Sequence, residues 1–145
     1  MILALDLGTT TGWAYGNDRV YVASGVWDFK NRRHEGGGMR YVKFRKSLDD
    51  FDLAISTVYF EEVRRHIGTD AAHVYGGLMA TLTGWCEERR FPYAGVPVGT
   101  IKKSFTGAGN ANKQSMINEC AVRGIDVKDD NEADAVALLF WAMEN

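Results

Sequence analysis

An aspartate stands inside the first apolar run of this chain, and that placement constrains the fold more than any other feature. Ile2-Leu3-Ala4-Leu5-Asp6-Leu7 reads as a buried strand. A carboxylate is rarely buried unless it is paired or bound to a cation. The pattern recurs twice. Glu61 closes the β-branched and aromatic run Thr57-Val58-Tyr59-Phe60-Glu61. Asp134 opens the apolar face of the last helical segment, Glu132-Ala133-Asp134-Ala135-Val136-Ala137.

Each carboxylate also has an ordinary explanation. Asp6 can cap the turn Gly8-Thr9-Thr10-Thr11-Gly12, and Glu61 can be a surface residue at a strand end. Asp134 can be a first-turn acid favoured by the helix dipole. Taken together, three acids from two strands and one helix that can meet at a sheet end point to a cation site. Hard oxygen donors favour Mg²⁺, or Mn²⁺, over zinc. His34, His66 and His73 show no ligand spacing. Two such ions about 3.5–4 Å apart can clamp the attacking and leaving oxygens of a phosphodiester. Asp129 with Glu132 fits a capping box, an acid at the cap and a Glu three residues later.

The remaining pattern supplies the scaffold. Ile2–Leu7, Trp13–Tyr15 and Val20–Trp27 read as three strands of an antiparallel meander, separated by turn signals at 8–12 and 16–18. Tyr41, Phe44, Leu48 and Phe51 fall at helical spacing and predict a helix from about Met39 to Phe51. A fourth strand covers 57–61, a second helix Ala71–Arg89, and a fifth strand Pro92–Val98. Helices follow at Thr100–Phe105, Lys113–Val122 and Asp129–Glu144. In the second helix Val74, Leu78, Leu82 and Trp85 face one way, while Gly77, Ala80 and Gly84 leave gaps. Those gaps suit either core packing or a dimer contact. The expected fold is α/β, one domain over residues 1–145. It has a mixed five-stranded sheet, three antiparallel strands and then two parallel, flanked by helices.

Charge is unevenly spread. The chain has 145 residues with 17 Lys+Arg against 19 Asp+Glu, a net of −2. That total gives no global signal for nucleic acid. Yet Lys30, Arg32, Arg33, Arg40, Lys43, Arg45 and Lys46 crowd one segment against Glu35 alone, and the carboxyl end from Asp126 to Glu144 is acidic. A second basic signal is Gly99-Thr100-Ile101-Lys102-Lys103-Ser104-Phe105-Thr106-Gly107-Ala108-Gly109-Asn110-Ala111-Asn112-Lys113. Backbone N–H groups, a helix amino end and ammonium groups there can meet phosphates. Cys86 and Cys120 form no disulfide framework or metal pattern, so a reducing cytoplasm fits. No apolar run reaches the roughly 18 residues of a membrane span.

These motifs resemble the RuvC-type Holliday junction resolvases of the RNase H-like superfamily, particularly their small phage-type members. Leu3-Ala4-Leu5-Asp6-Leu7-Gly8 is similar to the family's opening strand with its catalytic Asp. Phe60-Glu61-Glu62-Val63 resembles its second motif, whose first Glu is the ligand. Ile101-Lys102 through Gly107-Ala108-Gly109-Asn110-Ala111-Asn112-Lys113 is similar to its most distinctive stretch, and Ala133-Asp134-Ala135 to its last. The resemblance implies a metal-dependent endonuclease that cuts four-way DNA junctions by paired nicks, leaving a 5′-phosphate and a 3′-hydroxyl. It implies two Mg²⁺ held by Asp6, Glu61, Asn131 and Asp134, with Lys113 beside the scissile phosphate. DNA contacts would come from Arg32, Arg33, Arg40, Lys43, Arg64, Arg65, Lys102, Lys103 and Lys113. A four-way junction has two-fold symmetry, so a homodimer is expected, with helix Ala71–Arg89 as the candidate interface. The expected location is the cytoplasm, that of a bacterial host for a phage-encoded chain.

Two positions depart from the family. Asn131 stands where an Asp is usual three residues before the last ligand, and Asp130 is its possible substitute. Arg64, followed by Arg65, stands where an aromatic often wedges against bases. Two competing readings follow. Asp6-Leu7-Gly8-Thr9-Thr10-Thr11-Gly12 also resembles the first phosphate loop of actin-like sugar kinases and ATPases, though 145 residues leave no second lobe. A non-catalytic DNA-binding module of the same fold is the other.

Overall fold

In the computed structural model, which describes residues 1–51, 55–66 and 68–145, three strands come first: β1 (Ile2–Asp6), β2 (Thr10–Gly16) and β3 (Tyr21–Asp28). Helix α1 (Met39–Asp49) leads to β4 (Thr57–Glu62), α2 (Thr69–Arg89) and β5 (Tyr93–Pro97). Helices α3 (Val98–Thr106), α4 (Lys113–Val122) and α5 (Asp130–Glu144) complete the chain. The sheet order is β3-β2-β1-β4-β5. Pairing is antiparallel across β3-β2-β1 and parallel across β1-β4-β5. The expected mixed sheet is therefore present.

Strand alternation sorts the side chains onto two faces. Leu3, Leu5, Val58 and Phe60 pack into the core shared with α1 and α2, where Leu78, Leu82 and Trp85 are fully buried. Val74 packs partly buried against that core, and Tyr75, which is buried, joins it. Ile2, Ala4 and Tyr59 lie in the other core, with α3, α4 and α5. On the first side an aromatic cluster fills the space under β2 and β3, with Trp13 stacked on Trp27 at 5.9 Å between ring centroids. Phe44 meets Phe29 edge-on at 5.5 Å. Such pairs add roughly 0.5–1.5 kcal/mol beyond their burial.

On β2 the floor beneath α5 is almost bare, although Tyr59 of β4 meets Trp141 of the same helix at 5.7 Å. The β2 residues facing that helix are Gly12, Ala14 and Gly16, and Ala14 is fully buried. A Cβ on Gly12 would lie 1.9 Å from the Asn131 carbonyl oxygen, and one on Gly16 would lie 3.2 Å from the end of Met143. Gly12 is thus a contact glycine, and the expected turn from Gly8 to Gly12 is shorter. Thr10, Thr11 and Gly12 already belong to β2. Thr11 holds the tight connection, its hydroxyl donating to Gly8 O at 2.7 Å and accepting from Gly8 N at 3.3 Å. Asp6 does not cap this turn.

Two further readings of the sequence are corrected. Helix α3 begins at Val98, directly after β5, so Gly99 is its second residue. Asp129 does cap α5, its side chain accepting from Glu132 N at 2.9 Å. Glu132 does not return to the cap as a capping box requires. Its carboxyl reaches one residue further back, accepting from Lys128 N at 2.6 Å, and also turns to β3, accepting from Ser24 Oγ at 2.6 Å.

Candidate active site at the carboxyl ends of β1 and β4

Parallel pairing places Leu5 beside Phe60. The next residues, Asp6 and Glu61, leave the strands side by side on the face toward α5. Glu62 points to the opposite face by the same alternation, which selects Glu61. Asp134 reaches them from α5, one turn after its amino end. Carboxylate oxygens of Asp6, Glu61 and Asp134 all lie within 4.8 Å of one another. All three side chains are partly buried.

Crowding three acids raises their proton affinity. Burial comes first for Asp6, then repulsion from Glu61, Asp134, Asp130 and Asp129, and its carboxyl stands well above the usual carboxylate range. Burial also raises Glu61, partly offset by Lys102 and by a hydrogen bond with Asp6. Asp134 is pushed up to about 7, by burial and then by Glu61, with Asp130 adding to it and Lys102 and Lys113 opposing. Charge of this density, insufficiently balanced by protein cations, is the electrostatic setting that a bound divalent cation relieves. The all-oxygen donor set fits Mg²⁺ or Mn²⁺.

The two candidates for a fourth ligand have different surroundings. Asn131 Nδ2 donates to Asp129 Oδ2 at 3.3 Å, and its carbonyl lies against Gly12. Asp130 is one helical turn before Asp134. It repels both Asp6 and Asp134, and its Oδ2 lies 3.6 Å from Lys113 Nζ. Asp130 thus bears electrostatically on the cluster, while Asp6, Glu61 and Asp134 are the three that lie within 4.8 Å of one another.

Basic residues divide into two groups. Lys102 on α3 and Lys113 at the start of α4 act on the acidic cluster. Lys103 is exposed on α3. Arg64 and Arg65 are exposed just beyond Glu61 and line, with Val63, Pro97 and Val98, a groove of about 410 Å³ that begins at Glu61. Arg64 Nε also meets Glu62 at 3.2 Å. Arg32 and Arg33 are exposed on the β3–α1 connection, which Phe29 N ties to Thr9 O at 2.7 Å. Part of the basic segment is spent inside the chain: Lys43 pairs with Glu35 at 2.6 Å and Arg45 with Glu88 of α2. Arg40 is partly buried, its Nε enclosed.

Sequence reasoning missed two supporting residues. Tyr75 OH donates to Glu61 O at 2.9 Å and accepts from Val63 N at 3.2 Å, so α2 pins the end of β4. Gly12 carries the approach of α5. The spacing Gly12-x-Ala14-x-Gly16 was its signal, since the smallest residues at period two mark a strand face that a helix approaches closely.

No protein-family model matches the sequence, and no curated protein matches it. Solved structures do. The structure of Thermus thermophilus RuvC matches with a TM-score of 0.77 and 18% identity, over 99% of this chain and 95% of that one. T. thermophilus RuvC in complex with Holliday junction substrate matches with a TM-score of 0.76 and 21% identity, over 99% of this chain and 94% of that one. The fold is that of RuvC. It is the RNase H-like arrangement that the motifs implied, and it runs the length of this chain. On this RuvC fold the acidic cluster sits where β1, β4 and α5 converge. Among the described residues no helix is long and apolar enough to cross a membrane.

Proposed function

We propose that this chain is a structure-selective endonuclease that resolves four-way DNA junctions by paired symmetric nicks. The observation that carries the reading is the convergence of Asp6, Glu61 and Asp134 within 4.8 Å on a RuvC fold. A RuvC of that fold is known in complex with a Holliday junction. Residues 1–145 act as one nuclease domain.

Asp6, Glu61 and Asp134 would hold two divalent ions, Mg²⁺ or Mn²⁺, with Asp130 rather than Asn131 as the fourth donor. Ions held there would supply Lewis-acid chemistry for phosphodiester hydrolysis, with 5′-phosphate and 3′-hydroxyl ends the expected products. Lys102 opposes the rise in proton affinity at Glu61 and Asp134. Lys113, held near Asp130, places its ammonium where charge develops on the scissile phosphate. Arg64, Arg65, Lys103 and the exposed Arg32 and Arg33 grip the DNA arms through phosphates; Arg40 and Lys43 contribute less, being partly enclosed and ion-paired respectively.

A junction has two-fold symmetry, so two nicks ask for a C2 dimer. Helix α2 is the proposed interface. Gly77 is occupied within the chain by the Tyr41 ring, whereas Ala80 and Gly84 are exposed with open space beside Gly84.

The convergence of Asp6, Glu61 and Asp134 favours this reading over a module that only binds DNA. The test uses a labelled four-way junction, a matched linear duplex and Mg²⁺, with Asp6→Asn as the control. Paired nicks in the junction alone, lost in the variant, are expected. Equal weak binding to both substrates with no cleavage would defeat the proposal.

A further inference from the structure

Helix α5 carries Asp130 and Asp134, yet its floor of Gly12, Ala14 and Gly16 has no side chain larger than a methyl group. A smooth floor lets the first turns of the helix come close, while the large rings that interlock with α5, Tyr59 on Trp141 at 5.7 Å and Phe105 on Phe140 at 5.9 Å, lie toward its carboxyl end. Glu132 is the buried acid that the catalytic proposal leaves unused. It is only 5% exposed, and it projects from the side of α5 opposite Asp130 and Asp134. Both of its carboxyl oxygens are taken. Oε1 accepts from Ser24 Oγ on β3 at 2.6 Å, and Oε2 accepts from Lys128 N at 2.6 Å. Because the Ser24 proton goes to Glu132, the 2.9 Å contact between Tyr21 OH and Ser24 Oγ has Tyr21 as donor.

We propose that Glu132 is a positioning residue that locks the roll of α5 on the sheet through Ser24 and the Lys128 backbone, and so holds Asp134 and Asp130 opposite Asp6 and Glu61. A buried polar link suits this task because its geometry is directional, whereas apolar contact over Gly and Ala is not. The inference rests on the metal-site reading above.

Mn²⁺ binding to the whole chain, measured calorimetrically without DNA, tests it together with thermal melting. Ser24→Ala and Glu132→Gln are expected to weaken Mn²⁺ binding by about tenfold or more, the scale at which supporting partners of metal ligands act. Ser24→Ala is expected to stay folded and melt cooperatively. Ser24→Thr keeps the hydroxyl and is expected to bind Mn²⁺ as the unaltered chain does. Folded Ser24→Ala and Glu132→Gln proteins with unchanged affinity would overturn the positioning role, as would Ser24→Thr behaving like Ser24→Ala. An unaltered chain that binds no Mn²⁺ would overturn the metal site itself, and the positioning role with it.

Discussion

The backbone carbonyl of Asn131 occupies the space that a side chain on Gly12 would need, with 1.9 Å between that oxygen and a Cβ placed there. The obstacle is backbone, so it cannot swing aside as a flexible side chain can. Gly12→Ala should therefore push the first turn of α5 off β2. Overpacking of this kind costs about 3 kcal/mol. The variant should melt lower and lose Mg²⁺-dependent cleavage together. A folded Gly12→Ala protein with full activity would show that α5 tolerates displacement and that the close approach is incidental.

Proton binding at the acidic cluster gives stability a pH dependence with a definite sign. Asp134 stands at about 7 against an ordinary 3.8, and Asp6 is raised as well. The folded protein therefore keeps protons that the unfolded chain has released. This contribution is fully present below the unfolded value and is lost as pH rises through about 7. Metal-free protein should lose stability over that window at up to roughly 1.4 kcal/mol per pH unit for each such group. Added Mg²⁺ should raise the melting temperature more at about pH 8 than at about pH 5, because protons compete for the same oxygens. Equal stabilisation at both would place Mg²⁺ elsewhere.

Asp130 and Asn131 should differ sharply when exchanged. Asp130→Asn removes a charge that bears on both Asp6 and Asp134. It should lower cleavage at limiting Mg²⁺ by about tenfold or more. Asn131→Ala removes a bond to Asp129 and should cost less, with stability affected more than cleavage. The reverse order, read from Mg²⁺ titrations of both variants, would return the fourth ligand to Asn131.

Lys113 and Lys102 should separate by phenotype. Lys113→Met is expected to lower the cleavage rate by about 100-fold, the scale for losing one electrostatic stabiliser, with little loss of junction binding. Lys102 opposes the rise at Glu61 and Asp134. Lys102→Met should therefore shift the acid limb of the pH–rate profile to higher pH. An unmoved profile would remove Lys102 from the cluster's electrostatics.

Much of the site was legible in one dimension because its signals are local. Period-two alternation puts Asp6 on the Ala4 face and Glu61 on the Tyr59 face, whatever the rest of the fold does. The misplaced acid in each apolar run was therefore visible before any contact was known. Element order alone also carried the meander and the crossover strands.

Other features exist only in three dimensions. Gly12 read as a turn glycine because sequence shows what a glycine permits locally, and its partner, Asn131, is 119 residues away. Glu132 read as half of a capping box because spacing shows which backbone groups are near, and Ser24 is not near in sequence. Asn131 or Asp130 could not be chosen by spacing, since both lie within a turn of Asp134. How α5 turns on β2 sets where each of them stands relative to Asp6, which spacing does not show. The sequence by itself determined which residues are chemically out of place. The packing of α5 decided which of them share a site, because that depends on close approach between segments distant in the chain.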